Sequence, residues 1–241
     1  MSNPGLNNGP DIYPWLTSQW LFFTKRLNAD RLAHALLIQG PSGSGKTQMA
    51  SAMVAKLLCR ENLERACGEC RSCQLLSGEA HPDYFNLQPE EGSEVIRVDQ
   101  VRSLIGKLDL TTSVSHRKVA YIHPAEDMNA ASANALLKSL EEPTGNAVLI
   151  LVSDNPASLP LTILSRCQHI NVSQPPAELV LKWLESQSDN PRGELQAALQ
   201  AAGGSPLRAR QFLDSPITDA YTQVRDSLVS LLGRPASVSM Y

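Results

Sequence analysis

The chain has 241 residues, of which 42% are hydrophobic, enough for more than one compact folded unit. Its formal net charge of −3 excludes a global basic field, so any DNA contact must be local or made by a partner. The sequence contains neither an apolar run of roughly 20 residues, as a membrane span requires, nor the pattern of a secretory signal, so we expect a cytoplasmic protein.

Aromatic residues are concentrated ahead of residue 24, in a chain that has few of them. Trp20, Phe23, Leu27 and Leu32 fit one face of a helix that packs on the core. Stacking of an adenine ring near this segment is the alternative. Core packing is the favoured interpretation.

Residues 35–58 carry the most informative pattern. The apolar run Ala35–Ile38 predicts a buried parallel strand, and the strong helix formers of 48–58 predict a helix. Between them GPSGSGKT, residues 40–47, matches G-x-x-x-x-G-K-[ST], which in this strand–turn–helix context is typical of a phosphate-binding loop. A chance match in a Gly/Ser-rich turn is the alternative.

The loop supplies the groups that a nucleotide requires. Glycines let the backbone turn its N–H groups around a di- or triphosphate, and the helix N-terminus adds its dipole. Lys46 is expected to reach the outer phosphates and the Thr47 hydroxyl to bind Mg²⁺. ATP with Mg²⁺ is therefore the candidate cofactor. The candidate binding residues are Gly40, Gly43, Gly45, Lys46 and Thr47.

Four of the five cysteines lie within residues 59–73. Cys67, Cys70 and Cys73 follow the spacing C-x2-C-x2-C, and Cys59 precedes them at the end of the predicted helix. Four thiolates predict tetrahedral coordination of a structural Zn²⁺. An iron–sulfur cluster is the rival, and four unrelated cysteines the remaining alternative. The distant Cys167 is interpreted as a buried strand residue.

Further along, strands alternate with helices. Strands are predicted at 84–87, 118–122 and 147–152, with a short helical turn leading into a fifth strand within 163–172. Amphipathic or strongly helical stretches occupy 96–108 and 129–142. This alternation predicts an α/β fold with a parallel sheet covered on both faces, to which we assign residues 1–172.

The pattern changes after residue 172. Three helices are predicted at 177–187, 194–202 and 205–213, separated by Asn/Pro and Gly/Gly breaks, and they define a small helical domain at 173–214. Another helix is predicted at 219–232. Because it has no remaining partner in the chain, residues 215–241 are interpreted as a linker and the start of a truncated further domain.

A P-loop ATPase needs acidic residues at a neighbouring strand tip, to hold Mg²⁺ and polarise water. The candidate strand, 118–122, is followed by His123 and Pro124, which can do neither. Glu126 and Asp127 lie about one turn further along and are expected to face elsewhere. The sequence therefore predicts little hydrolysis.

Arg166, in Ser165-Arg166-Cys167 before the last strand, allows three interpretations. It is a solvated surface arginine, an arginine bonded to its own domain, or a finger that reaches the γ-phosphate held by a neighbouring subunit.

Several segments together resemble the clamp-loader branch of the AAA+ ATPases. They are HALLIQGPSGSGKT, the four cysteines, HPDYFNL, NALLKSLEEP and LPLTILSRCQ. The resemblance implies a P-loop AAA+ core with an inserted zinc module, a helical lid and a C-terminal collar domain. Gamma/tau-type members carry an Asp-Glu pair where this chain has His123 and Pro124, so the chain is similar to a subunit that does not hydrolyse ATP.

The resemblance also implies a role and partners. Such a subunit acts in a hetero-pentamer with gamma/tau and delta subunits, which loads the sliding clamp on primed DNA for the DNA polymerase III holoenzyme, a nucleotidyltransferase. It implies that Arg166 is the catalytic finger, acting in trans on ATP bound by gamma/tau. The alternatives are an active ATPase of the gamma/tau type and a zinc-stabilised DNA-binding module.

Overall fold

The computed structural model describes residues 11–61, 63–142 and 145–214. Contacts divide the chain into two units, Met1–Gln174 and Pro175–Tyr241, which we describe separately. The helix predicted at 219–232, and with it the start of a further domain, lies outside the described residues.

The first unit is built on a five-stranded sheet of order β2-β3-β4-β1-β5. All neighbouring strands run parallel, as the alternation of strands and helices predicted. The bounds are β1 Ala35–Gln39, β2 Tyr84–Leu87, β3 Lys118–Ile122, β4 Ala147–Ser153 and β5 Gln168–Asn171.

Helices connect these strands and cover both faces of the sheet. The bounds are α1 Thr17–Asn28, α2 Lys46–Leu58, α3 Arg71–Ser77, α4 Val98–Leu108, α5 Ala130–Glu141 and α6 Leu161–Leu164. Asn129 begins α5 as its N-cap, because its side chain accepts a hydrogen bond from the Ser132 amide.

The central strand β4 separates two hydrophobic cores. Every residue of β4 is buried, which explains its continuous apolar sequence. Because successive side chains point to opposite faces, Val148 and Ile150 join the core under α1 and α2. Leu149 and Leu151 join the core under α4 and α5.

The aromatic segment packs mainly as predicted. Trp20 and Phe23 lie on the buried face of α1. The prediction was wrong for Leu32, because α1 ends at Asn28, although Leu32 still packs against the same core from the loop that follows.

The second unit contains α7 (Ala177–Glu185), α8 (Arg192–Ala201) and α9 (Pro206–Leu213) within its described residues. These helices enclose a small core of their own, which includes Val180, Leu184, Leu195 and Ala209. No helix in the described ranges combines the length and hydrophobicity that crossing a membrane would require.

Candidate functional site

The glycine-rich loop lies between the end of β1 and the start of α2. Gly43 and Gly45 adopt φ values of 73° and 90°, in the left-handed region that glycine tolerates. A Cβ at Gly40 would stand 2.0 Å from the carbonyl oxygen of Val172, so only glycine fits where the loop passes the end of β5. The backbone therefore has the shape that the motif predicts.

Aromatic residues brace the loop from one side. The Trp15 indole N–H donates to the carbonyl oxygen of Ser44 at 2.8 Å, and the Tyr13 ring stacks on Trp15 with the centroids 4.9 Å apart. A Cβ at Gly45 would lie 2.5 Å from the Tyr13 ring. These rings pack against the loop, a contact that their position in the sequence did not reveal.

Lys46 is buried and has polar partners inside the loop. Its side chain is only 3% exposed, and its Nζ lies 2.7 Å from Oδ1 of Asp154. The same Nζ donates to the Pro41 carbonyl oxygen at 2.7 Å. Burial alone raises the pKa of the Asp154 carboxyl, but Lys46 and the hydrogen bond from Ser42 outweigh burial, so that pKa lies below its usual value.

The ion pair between Lys46 and Asp154 was not predicted. Asp154 directly follows β4, and β4 pairs with β1, the strand that leads into the loop. The carboxyl ends of neighbouring parallel strands meet at one sheet edge. The signal available in the sequence was therefore an acidic residue directly after the fourth strand.

The tip of β3 contributes His123 and Pro124 to this edge. Glu126, one turn further on, accepts hydrogen bonds at Oε1 from the backbone amides of Asp154, at 2.8 Å, and Asn155, at 3.2 Å. It therefore supports the turn that carries Asp154. Within the described ranges, the only group of three or more His, Cys, Asp or Glu side chains that could hold one metal ion is the cysteine cluster, so the residues at this edge do not form such a group.

Arg166 follows α6 and is bonded within its own unit. Its Nε and Nη2 lie 2.8 and 2.5 Å from Oε1 of Glu141, the last residue of α5. Its Nη1 donates to the carbonyl oxygen of Thr162 at 3.0 Å. The side chain remains 33% exposed. The second of the three sequence interpretations describes this arrangement, and the role of Arg166 as a finger stays a prediction.

The structure brings the four cysteines of 59–73 together. Their sulfur atoms all lie within 4.8 Å of one another. The Sγ atoms of Cys59 and Cys67 are 3.6 Å apart, and those of Cys67 and Cys73 are 3.9 Å apart. A Zn–S bond of about 2.3 Å in a tetrahedron separates sulfurs by about 3.8 Å, so the cluster fits one Zn²⁺-sized ion.

The thiols of the cluster differ in acidity. Burial raises the pKa of Cys59 and of Cys73. At Cys70 burial also opposes ionisation, but hydrogen bonds from the Arg60 amide and from Cys73 outweigh it and lower the pKa to about 7. Cys67 accepts a hydrogen bond from the Cys70 amide at 3.3 Å. Such N–H to sulfur bonds stabilise thiolates, the form in which cysteine binds metal.

A buried histidine ties the cysteine segment to the sheet. His81 Nδ1 accepts from the Asp83 amide at 3.0 Å, so its Nε2 carries the proton and donates to Ser72 Oγ at 2.7 Å. Ser72, between two of the cysteines, donates in turn to the Leu58 carbonyl oxygen at 2.6 Å. Burial lowers the pKa of His81, in keeping with this neutral role.

Comparison with known proteins identifies the family. A model described as DNA polymerase III, delta subunit, matches residues 16–176. The delta' subunit of Pseudomonas aeruginosa is 44% identical over 231 residues, which cover 95% of this chain and 70% of that protein. The chain belongs to the delta' family of DNA polymerase III.

Other relatives extend the comparison. The Escherichia coli delta' subunit is 36% identical over 195 residues. The matched region covers 80% of this chain and 58% of that subunit. The Bacillus subtilis tau subunit is 28% identical over 78% of this chain and 34% of its own length. The chain is thus also related to the tau/gamma subunits.

Among solved structures, the Thermotoga maritima RuvB Holliday junction branch migration motor superposes with a TM-score of 0.58 at 12% identity. The match covers 91% of this chain and 67% of that one, and at this identity it supports the fold alone.

Proposed function

We propose that this chain is a clamp-loader subunit that helps to load the sliding clamp onto primed DNA. It presents Arg166 to ATP held by a neighbouring gamma/tau subunit and hydrolyses little or no ATP itself. The observation that carries the proposal is the tip of β3, where His123 and Pro124 stand in place of a magnesium-binding carboxylate.

The expected lack of hydrolysis follows from the groups around the loop. Magnesium prefers oxygen ligands, so the His123 imidazole is a poor substitute for a carboxylate. Oε1 of Glu126 accepts hydrogen bonds from the amides of Asp154 and Asn155, and its Oε2 is buried away from solvent. Mg²⁺-ATP would be held by Gly43, Gly45, Lys46 and Thr47, and it would supply the γ-phosphate for hydrolysis. These four residues do not include a base that could activate the attacking water.

The exposure of Arg166 supports its proposed role as a finger, since its side chain is one-third exposed. In the chain alone its guanidinium is bonded to Glu141 and to the Thr162 carbonyl oxygen, so it must exchange these partners for the neighbour's phosphate. A guanidinium placed on a transferring phosphoryl group stabilises the charge that develops there, and this is worth about 10³- to 10⁵-fold in rate in known cases.

The four clustered cysteines are proposed to bind a structural Zn²⁺. Four protein ligands leave no open coordination position, so the ion would hold the 59–73 segment in shape rather than take part in chemistry. An iron–sulfur cluster is the rival, and its visible absorption distinguishes it from colourless zinc.

The function is tested in a loader reconstituted with gamma/tau and delta subunits. Arg166→Ala should lower the DNA- and clamp-stimulated ATPase by about 10²-fold or more, because the finger acts on the neighbour's ATP. Arg102→Ala is a matched control, since Arg102 is an exposed arginine of α4 whose side chain is 69% exposed. If stimulated ATPase survives Arg166→Ala intact, the trans role is wrong.

An active ATPase of the gamma/tau type is the second candidate, favoured by the intact geometry of the glycine-rich loop. It predicts steady ATP turnover by the purified chain that is lost in Lys46→Ala. The proposed function predicts no such turnover.

A further inference from the structure

Lys46 differs from a lysine that is free to receive a phosphate. An ammonium group has three donors and no acceptor. The acceptors nearest to its Nζ are Oδ1 of Asp154 and the carbonyl oxygen of Pro41, both at 2.7 Å, and Ser44 Oγ at 3.5 Å. The charge and the hydrogen-bonding capacity of Lys46 are thus matched within the chain.

Backbone hydrogen bonds fix the turn that carries Asp154. Its amide and that of Asn155 both donate to Oε1 of Glu126, which fixes the turn after β4. Its carboxylate also accepts a hydrogen bond from Ser42 of the glycine-rich loop. The Asp154 side chain is 41% exposed, and its carboxylate is bonded to Lys46, the cation that an anionic ligand of this loop would otherwise engage.

We propose that Asp154 is the residue that determines nucleotide affinity at this loop, acting as a resident anion that engages Lys46 and repels the outermost phosphate. A nucleoside triphosphate must displace this carboxylate from Lys46 and then tolerate a like charge nearby. Since Lys46 is expected to contact the outer phosphates, the loss of binding free energy caused by Asp154 is larger for ATP than for ADP. This role of Asp154 rests on the proposed function, and it would explain why a clamp-loader subunit with an intact glycine-rich loop binds ATP weakly.

The opposite role is also physically reasonable, and the same experiment tests it. A carboxylate beside a phosphate loop can bind Mg²⁺ and thereby assist nucleotide binding. Under that role, removing the charge of Asp154 would weaken Mg²⁺-ATP binding. Under the proposed role, removing it strengthens binding.

The test is titration of the full chain with fluorescent N-methylanthraniloyl-ATP and -ADP in the presence of Mg²⁺. Asp154→Asn should bind the ATP analogue about tenfold more tightly or better than wild type, with a smaller gain for the ADP analogue. The double variant Lys46→Ala/Asp154→Asn should lose the gain. Asp189→Asn, which removes an exposed carboxylate from the second unit, controls for net charge and should bind as wild type does.

Thermal unfolding monitors folding in the same samples, and added ATP should raise the Tm of Asp154→Asn more than that of wild type. Asp154→Ser is the second variant, used if the asparagine variant does not fold. Affinity within twofold of wild type, weaker binding, or an equal gain in Asp189→Asn would overturn the proposal. Because binding is measured on the isolated chain, such a result leaves the reconstituted-loader test of Arg166 unaffected.

Discussion

At the scale of single residues, Asp83 shows how a buried charge organises a loop. The residue is fully buried, and its carboxylate accepts three backbone amide bonds of 2.8 Å each, from Ser113, Val114 and Ser115. The Ser115 hydroxyl adds a fourth bond at 3.1 Å. One side chain thereby fixes the loop that leads into β3.

The acidity of Asp83 follows from the same contacts. Burial alone raises the pKa of the carboxyl, but the hydrogen bonds from residues 113–115 outweigh burial and hold it below its usual value. A carboxyl with a lowered folded-state pKa stabilises the protein above its unfolded pKa, and the contribution is lost as pH falls through the folded pKa. Stability from this group is therefore complete at neutral pH and disappears only below about pH 4.

Asp83→Asn should cost about 2–3 kcal/mol of unfolding free energy at pH 7, since hydrogen bonds to a charged group are lost and an amide N–H₂ faces backbone donors. Urea unfolding at several pH values measures the difference, which should shrink as pH falls below about 4. Asp99→Asn is the control, because the Asp99 side chain is 87% exposed. An equal loss in both variants, or a difference that does not change with pH, would refute the charged role of Asp83.

At the scale of elements, the cysteine segment is the clearest example of a structure that sequence spacing anticipates. Its helix α3 has only seven residues, which is short for a helix held by its own hydrogen bonds. The segment is tied to the sheet through Ser72 and His81. A metal ion bound by the four cysteines, as proposed, would add to the stability that these contacts give the segment.

The purified protein should contain one zinc per chain, and Cys70→Ser should lower both the zinc content and the Tm. Metal analysis and thermal unfolding, with and without a chelator, measure these effects; a structural site contributes several kcal/mol. Cys167→Ser is the matched control, since Cys167 is buried in the core under α4 and α5 and should leave the zinc content unchanged. A metal-free protein with unaltered stability in Cys70→Ser would rule out the zinc site.

At the scale of the whole molecule, the proposed function requires a neighbouring subunit near Arg166. Leu161, which begins α6, is 81% exposed and lies next to Thr162, the residue whose carbonyl oxygen holds Arg166. A single exposed leucine is common on protein surfaces. Under the proposed function, the neighbour that receives Arg166 would also contact Leu161.

Leu161→Asp should weaken association with gamma/tau by about tenfold, because a charge would then face a desolvated contact. Analytical ultracentrifugation or surface plasmon resonance with gamma/tau measures the affinity. Leu110→Asp serves as the control, since Leu110 is 67% exposed but lies in the loop after α4. Unchanged association of the Leu161 variant would place the interface elsewhere.

The sequence by itself determined the local structure, because periodicity, glycine and cysteine spacing act over short ranges. The run at 147–152 reads as a doubly buried strand, and β4 is buried throughout. The spacing of Cys67, Cys70 and Cys73 predicted one cluster, and their sulfurs converge with that of Cys59.

Only the tertiary structure decided which distant groups meet. Asp154 reaches Lys46 because parallel pairing of β1 with β4 brings the ends of both strands to one edge of the sheet. Arg166 meets Glu141 because α5 and α6 end side by side. Such contacts depend on strand order and on the packing of helices, and residues far apart in the chain carry no spacing that encodes them.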